Sequence, residues 1–378
     1  VAEAVLYNDM LPVLAEAAEH NFGALGAENI EVCCTEVCPR TLGADGEGGS
    51  DAKDADNDCP KRNSMTECDK SDEGVCDFDG GLRERLDAFR PDVIYLDPAR
   101  RDGCGRKVFL LEDCSPDILK IKNILLDIAP VLAMKLSPMA DISMVLGRLG
   151  NECRELQVIE AGGECKELLV LMRRDEEKRD GCLIRVYNLG MGMDGDKAND
   201  SPMFEFRRDE ESGCTGLRLA EPEEIIPGAL LFEPGKALMK AGCFRLIGKW
   251  LDAPALGRDT HYYILKDDYF VASNPPAQDW GGGRNMDERR NKDDRNILNG
   301  RAANAGKLFR TLDICEMSGK ALKDFSKRHP EAEVTARNVR MTSGELRKRL
   351  GCKSSDRYHT FALHADKPGK NLLLFTER

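Results

Sequence analysis

The chain has 378 residues, 41% of them hydrophobic, and a formal net charge of -12, enough apolar material for two or three packed domains. No apolar run of about eighteen residues occurs, and no basic stretch precedes an apolar one near the start; neither a membrane span nor a signal peptide is predicted, and the implied address is cytoplasmic. Fifteen cysteines without repeated close pairing imply reduced thiols, and Cys59, Cys68 and Cys76, widely spaced and without a nearby histidine, do not make a metal site.

Charge is unevenly distributed. Residues 44–81 carry twelve acidic against four basic side chains, whereas residues 320–378 carry fourteen basic against seven acidic. A basic C-terminal end permits a polyanionic partner, although a solvated face gives the same surplus.

In chain order, residues 4–9 read as a strand ending in Asp9, and residues 11–22 as a helix with Leu11, Leu14, Ala18 and Phe22 on one face. Residues 30–37 read as a second strand with Glu36 near its end, completing a right-handed βαβ unit. Residues 44–81, nearly devoid of large apolar side chains, read as a disordered acidic insertion. A helix over 82–89 then leads into Val93-Ile94-Tyr95-Leu96-Asp97-Pro98, a short buried strand stopped by proline. Three successive strands thus end in carboxylates: Asp9, Glu36 and Asp97.

Residues 131–136 form the next strand, and a hairpin turns at Ala161-Gly162-Gly163. Gly190-Met191-Gly192-Met193-Asp194-Gly195 matches a dinucleotide fingerprint in letters only. No helix follows to present its N-terminus to a pyrophosphate. Further on, Leu230-Phe232-Glu233-Pro234 precedes one helix with an apolar face through Ala237, Leu238, Ala241, Phe244 and Ile247. Residues 262–265 and 269–272 read as strands, residues 274–306 as a second polar insertion, and the remainder as a small α+β module.

Ligands of open α/β sheets sit beyond the carboxyl ends of the strands, and an ionised carboxylate there accepts two ribose hydroxyls. Asp9 suits the ribose, Glu36 an adenine amino group or ribose edge, and Asp97 with the Pro98 carbonyl the point where cofactor and substrate meet. Each carboxylate alone is equally well read as a surface residue at a loop.

Tyr95-Leu96-Asp97-Pro98-Ala99-Arg100-Arg101-Asp102, then Met134-Lys135-Leu136-Ser137-Pro138 with Asp141-Ile142-Ser143, and Glu164-Cys165-Lys166-Glu167 resemble bacterial class I S-adenosylmethionine-dependent methyltransferases that carry a C-terminal THUMP-like domain. Leu231-Phe232-Glu233-Pro234 with Met239-Lys240-Ala241-Gly242 resembles that family's ferredoxin-like segment. Ala336-Arg337-Asn338 through Leu350 resembles its THUMP-like module. The resemblance implies an α/β, Rossmann-like seven-stranded methyltransferase sheet over residues 1–175, a ferredoxin-like α+β region over 181–318 and a THUMP-like domain over 319–378. It also implies that the first strand and its glycine-rich loop lie before Val1, so that this stretch alone is inactive.

By the same resemblance the cofactor is S-adenosyl-L-methionine, bound by Asp9, Glu36 and Asp97, with Asp97 and Pro98 catalytic and RNA the substrate at a base amino group. Ala99 and Arg100 stand where amino-group methyltransferases often have a second proline and an aromatic. Arg100 can stack on a base while Arg101 and Lys107 hold phosphate, or both arginines can pair with Asp102, Glu112 or Asp113 and brace the loop. The rival reading is an RNA-binding or scaffold protein whose sheet has lost its cofactor.

Overall fold

Val5–Asn8 forms strand β1 and Ile30–Cys33 strand β2, joined by helix α1, Pro12–Ala24, in a computed structural model that describes residues 2–43, 81–99, 111–174, 181–189, 202–265 and 305–378. The two strands are parallel, with Val5 opposite Ile30 and Asn8 opposite Cys33. Proline in the first turn of α1 costs no hydrogen bond, because that N–H has no helical partner. The apolar stripe foreseen on α1 is only partly used: Ala15 is buried and Phe22 meets Tyr7 edge-on, but Leu11 and Leu14 are exposed.

The contact pattern divides the chain into two compact units, Val1–Leu156 with Leu168–Arg179, and Gln157–Glu167 with Asp180–Arg378. In the first unit, helix α2 (Leu82–Phe89) leads into strand β3 (Val93–Leu96), and helix α3 (Ile118–Ile128) crosses over to strand β4 (Val131–Leu136). Parallel pairing sets Val93 opposite Val131 and Leu96 opposite Met134. Helix α4 (Ile142–Leu149) then feeds strand β5 (Cys153–Ala161), which turns into strand β6 (Glu164–Arg173). Both turn glycines, Gly162 and Gly163, take positive φ, which a side chain would resist.

Strand β6 runs antiparallel to β4, with Leu132 opposite Met172 and Leu136 opposite Leu168. A parallel sheet closed by an inserted reversed strand is the methyltransferase arrangement. Its core is Ile118, Ile121 and Leu125 of α3 with Leu132, Met134, Val170 and Met172 of the strands, all buried. Burial at about 25 cal/mol per Å2 makes such a layer the main stabilising contribution of this unit.

Strand β3 departs from expectation. It is not buried: Val93 is 53% and Tyr95 57% exposed. Among the described residues it occupies the end of its sheet, beside β4 alone.

In the second unit, strand β7 (Leu183–Leu189) pairs antiparallel with strand β8 (Phe204–Arg207), which helix α5 (Arg208–Gly213) follows. A six-stranded sheet is built from β9 (Leu230–Pro234), β10 (Tyr263–Leu265), β11 (Gly306–Glu316), β12 (Glu333–Arg337), β13 (Tyr358–Ala365) and β14 (Lys370–Glu377), in the order β10-β9-β11-β14-β13-β12. The single helix expected after β9 is two, α6 (Lys236–Ala241) and α7 (Phe244–Trp250). Gly242 takes φ +72° and ends α6 with a left-handed cap, so the apolar face continues across a break. Helices α8 (Gly319–Arg328) and α9 (Ser343–Leu350) bury Leu322, Phe325, Leu346 and Leu350 in one cluster with Leu373 and Phe375 of the sheet. The second polar insertion was bounded at residue 306, yet Ala305 is buried and Gly306 already pairs with Pro234; the rest of it, the proposed strand over 269–272 and the acidic insertion up to residue 80 lie outside the described residues.

Candidate active site

The carboxyl ends of β1 and β2 fall on one edge of their pair, because Asn8 lies opposite Cys33. Asp9 follows directly and extends the ladder, its N–H donating to the Cys33 carbonyl at 3.2 Å. One carboxylate oxygen of Asp9 accepts the Leu11 N–H at 2.9 Å, starting the turn into α1. Tyr7, two residues earlier, has its hydroxyl pKa raised by burial and then by the Asp9 charge.

Glu36 is placed differently from the sequence reading. The strand stops at Cys33, four residues sooner than read, and Glu36 sits exposed in the segment after it. The cause is Asn8, which sequence inspection had passed over. Its side-chain oxygen accepts the Thr35 N–H at 3.0 Å and its amide donates to the Thr35 carbonyl at 2.9 Å, so the backbone turns away from the ladder. Thr41 then closes the turn by donating to the Glu36 carbonyl at 2.8 Å. Hydrogen bonds from the same Thr41 lower the pKa of the Cys38 thiol.

Asp97 leaves the carboxyl end of β3, and the register that sets Leu96 opposite Met134 puts Lys135 of β4 beside it. The Lys135 ammonium pairs with Oδ2 of Asp97, the carboxylate being 51% and the lysine 28% exposed. Pro98 is buried. Ala99 exchanges two backbone hydrogen bonds with Ser115, at 2.9 and 3.1 Å, which pins the start of the loop after Asp97. Arg100, Arg101 and Lys107 lie outside the described residues. Glu112, one of the acidic partners considered for them, is paired with Arg148 at 3.0 Å.

The Met134–Pro138 motif also has a structural content. Ser137 is buried and its hydroxyl accepts the Met139 N–H at 3.2 Å. Asp141 caps α4, accepting the Met144 N–H at 2.9 Å. The structure thus brings Asp9 and Glu36 to one end of the β1–β2 pair, and Asp97 and Lys135 to the corresponding end of β3–β4. Among the described residues, no cluster of three histidine, cysteine or acidic side chains could hold a metal, and no helix is long and apolar enough to cross a membrane.

Carboxylates at strand ends, a reversed strand inserted beside β4 and an α+β C-terminal region define a methyltransferase-type α/β fold extended by ferredoxin-like and THUMP-like modules. Residues 230–269 match a ferredoxin-like domain and residues 306–378 a THUMP domain-like family. Among solved structures, the chain is similar to a "putative methyltransferase" from Porphyromonas gingivalis W83, with 23% identity and a TM-score of 0.67, covering 100% of this chain and 72% of that one. No curated protein matches.

Proposed function

We propose that the protein is an S-adenosylmethionine-dependent methyltransferase that modifies RNA at a base amino group in the cytoplasm. The observation that carries this reading is Asp97, exposed at the carboxyl end of a parallel strand, followed by a buried proline and oriented by Lys135. Residues 1–175 would form the catalytic region, with 181–318 and 319–378 presenting the RNA.

The residues fit the adenosine half of the cofactor. Asp9 accepts the Leu11 N–H and the Tyr7 hydroxyl, and the acceptor capacity that a carboxylate has beyond these would take ribose hydroxyls, while Glu36 is exposed beyond the adjacent strand. None of the residues singled out fits the methionine half. When bound, the cofactor supplies an electrophilic methyl group on its sulfonium.

With Oδ2 held by Lys135, Asp97 presents Oδ1 to an exocyclic amine and, with the Pro98 carbonyl, orients the nitrogen lone pair for in-line transfer. Arg100 would stack on the base while Arg101 and Lys107 hold phosphate. No strong base is needed, since the proton leaves after transfer.

The test is calorimetry of the protein with S-adenosylmethionine, followed by methyl transfer to total RNA with Asp97→Ala alongside. Transfer undiminished in that variant removes Asp97 from the mechanism. The rival reading is an RNA-binding or scaffold protein whose sheet takes no cofactor. That reading predicts no heat with the cofactor together with retained RNA binding.

A further inference from the structure

Two segments singled out in the sequence, Phe232-Glu233-Pro234 and Ala336-Arg337-Asn338, have no part in the reaction above, and the second unit brings them together. The Tyr262 hydroxyl donates to Oε1 of Glu233 at 2.6 Å. Over the Tyr262 ring, 5.8 Å from its centroid, lies the guanidinium of Arg337, the last residue of β12. One of its nitrogens is 4.0 Å from the thioether sulfur of Met239 on α6, a weak acceptor.

Arg337 is half-buried, and among the described residues no carboxylate lies within ion-pair distance of it. A guanidinium has five N–H donors in a rigid fork; the Tyr262 hydroxyl and the Met239 sulfur take part of it, and the donors left over, with no carboxylate in reach, suit an anion. The surroundings fix it without neutralising it. Glu233 is engaged by the Tyr262 hydroxyl, and the adjacent His261 ring is stacked on Phe244, centroids 3.6 Å apart. Burial and then the Arg337 charge lower the His261 pKa, against a pull from Asp259.

The backbone here is strained on both sides. His261 and Asn338 take φ of 59° and 54°, and both are tied to Thr260. Asn338 donates to the Thr260 hydroxyl at 3.2 Å, and that fully buried hydroxyl donates to the His364 carbonyl at 2.7 Å. Left-handed non-glycine residues persist where the surroundings over-determine them, commonly at binding sites. Here they end β12 immediately after Arg337 and hold His261 beside it. Arg258 and Arg340, both exposed, flank the two segments in sequence.

We propose that Arg337, set by Tyr262 and His261, receives a backbone phosphate of the RNA, its fork taking two phosphate oxygens. This rests on the reading that the protein binds RNA, and it names the residue of the C-terminal region that does so. A planar fork over an aromatic ring suits phosphate better than an ammonium would, so charge alone does not substitute for it.

The experiment is fluorescence anisotropy of the full chain with a labelled single-stranded oligoribonucleotide of mixed sequence, at several salt concentrations. Arg337→Gln is expected to weaken binding about tenfold and to reduce the salt slope by about one. Arg337→Lys is expected to restore the slope but not the affinity. A variant with Lys320, Lys323 and Lys327 of α8 changed to Gln serves as a reference for loss of surface charge elsewhere. If Arg337→Gln keeps its thermal midpoint and binds with native affinity and slope, the phosphate site is overturned while RNA binding stands. If the native chain itself shows no binding, the RNA reading fails and the site with it.

Discussion

The Lys135 ammonium is paired with the Asp97 carboxylate across the parallel β3–β4 pair. The two residues are far apart in sequence, and neither strand alone would reveal the contact. If Asp97 holds the amine nucleophile, the lysine works by fixing one carboxylate oxygen. Asp97→Ala is expected to lower kcat/KM for methyl transfer about a hundredfold or more, the usual scale for removing one positioned group. Lys135→Gln should cost less, because the carboxylate remains. The two effects should fall short of additive in the double variant, measured by steady-state kinetics.

Gly306, at the start of β11, lies where β11 meets β9. A Cβ there would stand 2.2 Å from the Glu233 carbonyl oxygen and 2.7 Å from the Phe232 ring. The first obstacle is backbone, which cannot swing aside. Gly306→Ala is expected to destabilise the second unit by about 2 kcal/mol or more, seen as a lower urea midpoint at unchanged slope. Gly344→Ala, at a position with nothing near, provides the control.

His359 is half-buried in β13 of the same sheet, its ring stacked on Phe361 at 4.1 Å and one nitrogen 2.8 Å from the Thr335 hydroxyl. Burial lowers its pKa to about 4, against opposing pulls from Glu233 and Glu333. A depressed histidine pKa means that the unfolded chain takes up the proton first. Stability is therefore complete above about pH 6.5 and falls as the pH drops from there towards 4. Urea titrations at pH 7 and pH 4.5 should show a smaller difference for His359→Gln than for the native chain; equal differences would remove His359 as the cause.

The exposed side chains of β3 predict self-association. Val93 and Tyr95 stand exposed on one face of a strand at the end of its sheet, an apolar pair that a second copy can cover. Light scattering should rise with concentration in the native chain, and Val93→Lys should suppress it. Because Val93 is 53% exposed, the thermal midpoint should barely move.

Helix α9 is held at its start by a reciprocal pair. The Thr342 hydroxyl accepts the Glu345 N–H at 3.2 Å, and the Glu345 carboxylate accepts the Thr342 N–H at 2.8 Å. Those bonds, and then the nearby Arg349 charge, lower the Glu345 pKa. Thr342→Ala is expected to cost about 1 kcal/mol, read from the same urea titrations.

Much of this molecule is local and so was written in the chain. Apolar patterning marked β4 and α2, glycines marked the β5–β6 turn, and the motif around Asp97 marked a strand end, because each depends on neighbours a few residues away. Other features depend on which segments meet. Asn8 ends β2 early by bonding to Thr35, Lys135 reaches Asp97 through strand register, and Arg337 lies over Tyr262 only once β12 and β10 belong to one sheet. Composition cannot announce such contacts, since a side chain's partner is set by folding rather than by spacing. The exposure of β3 is of the same kind: its residues are apolar enough for a core, yet among the described residues Val93 and Tyr95 stay exposed at the end of the sheet.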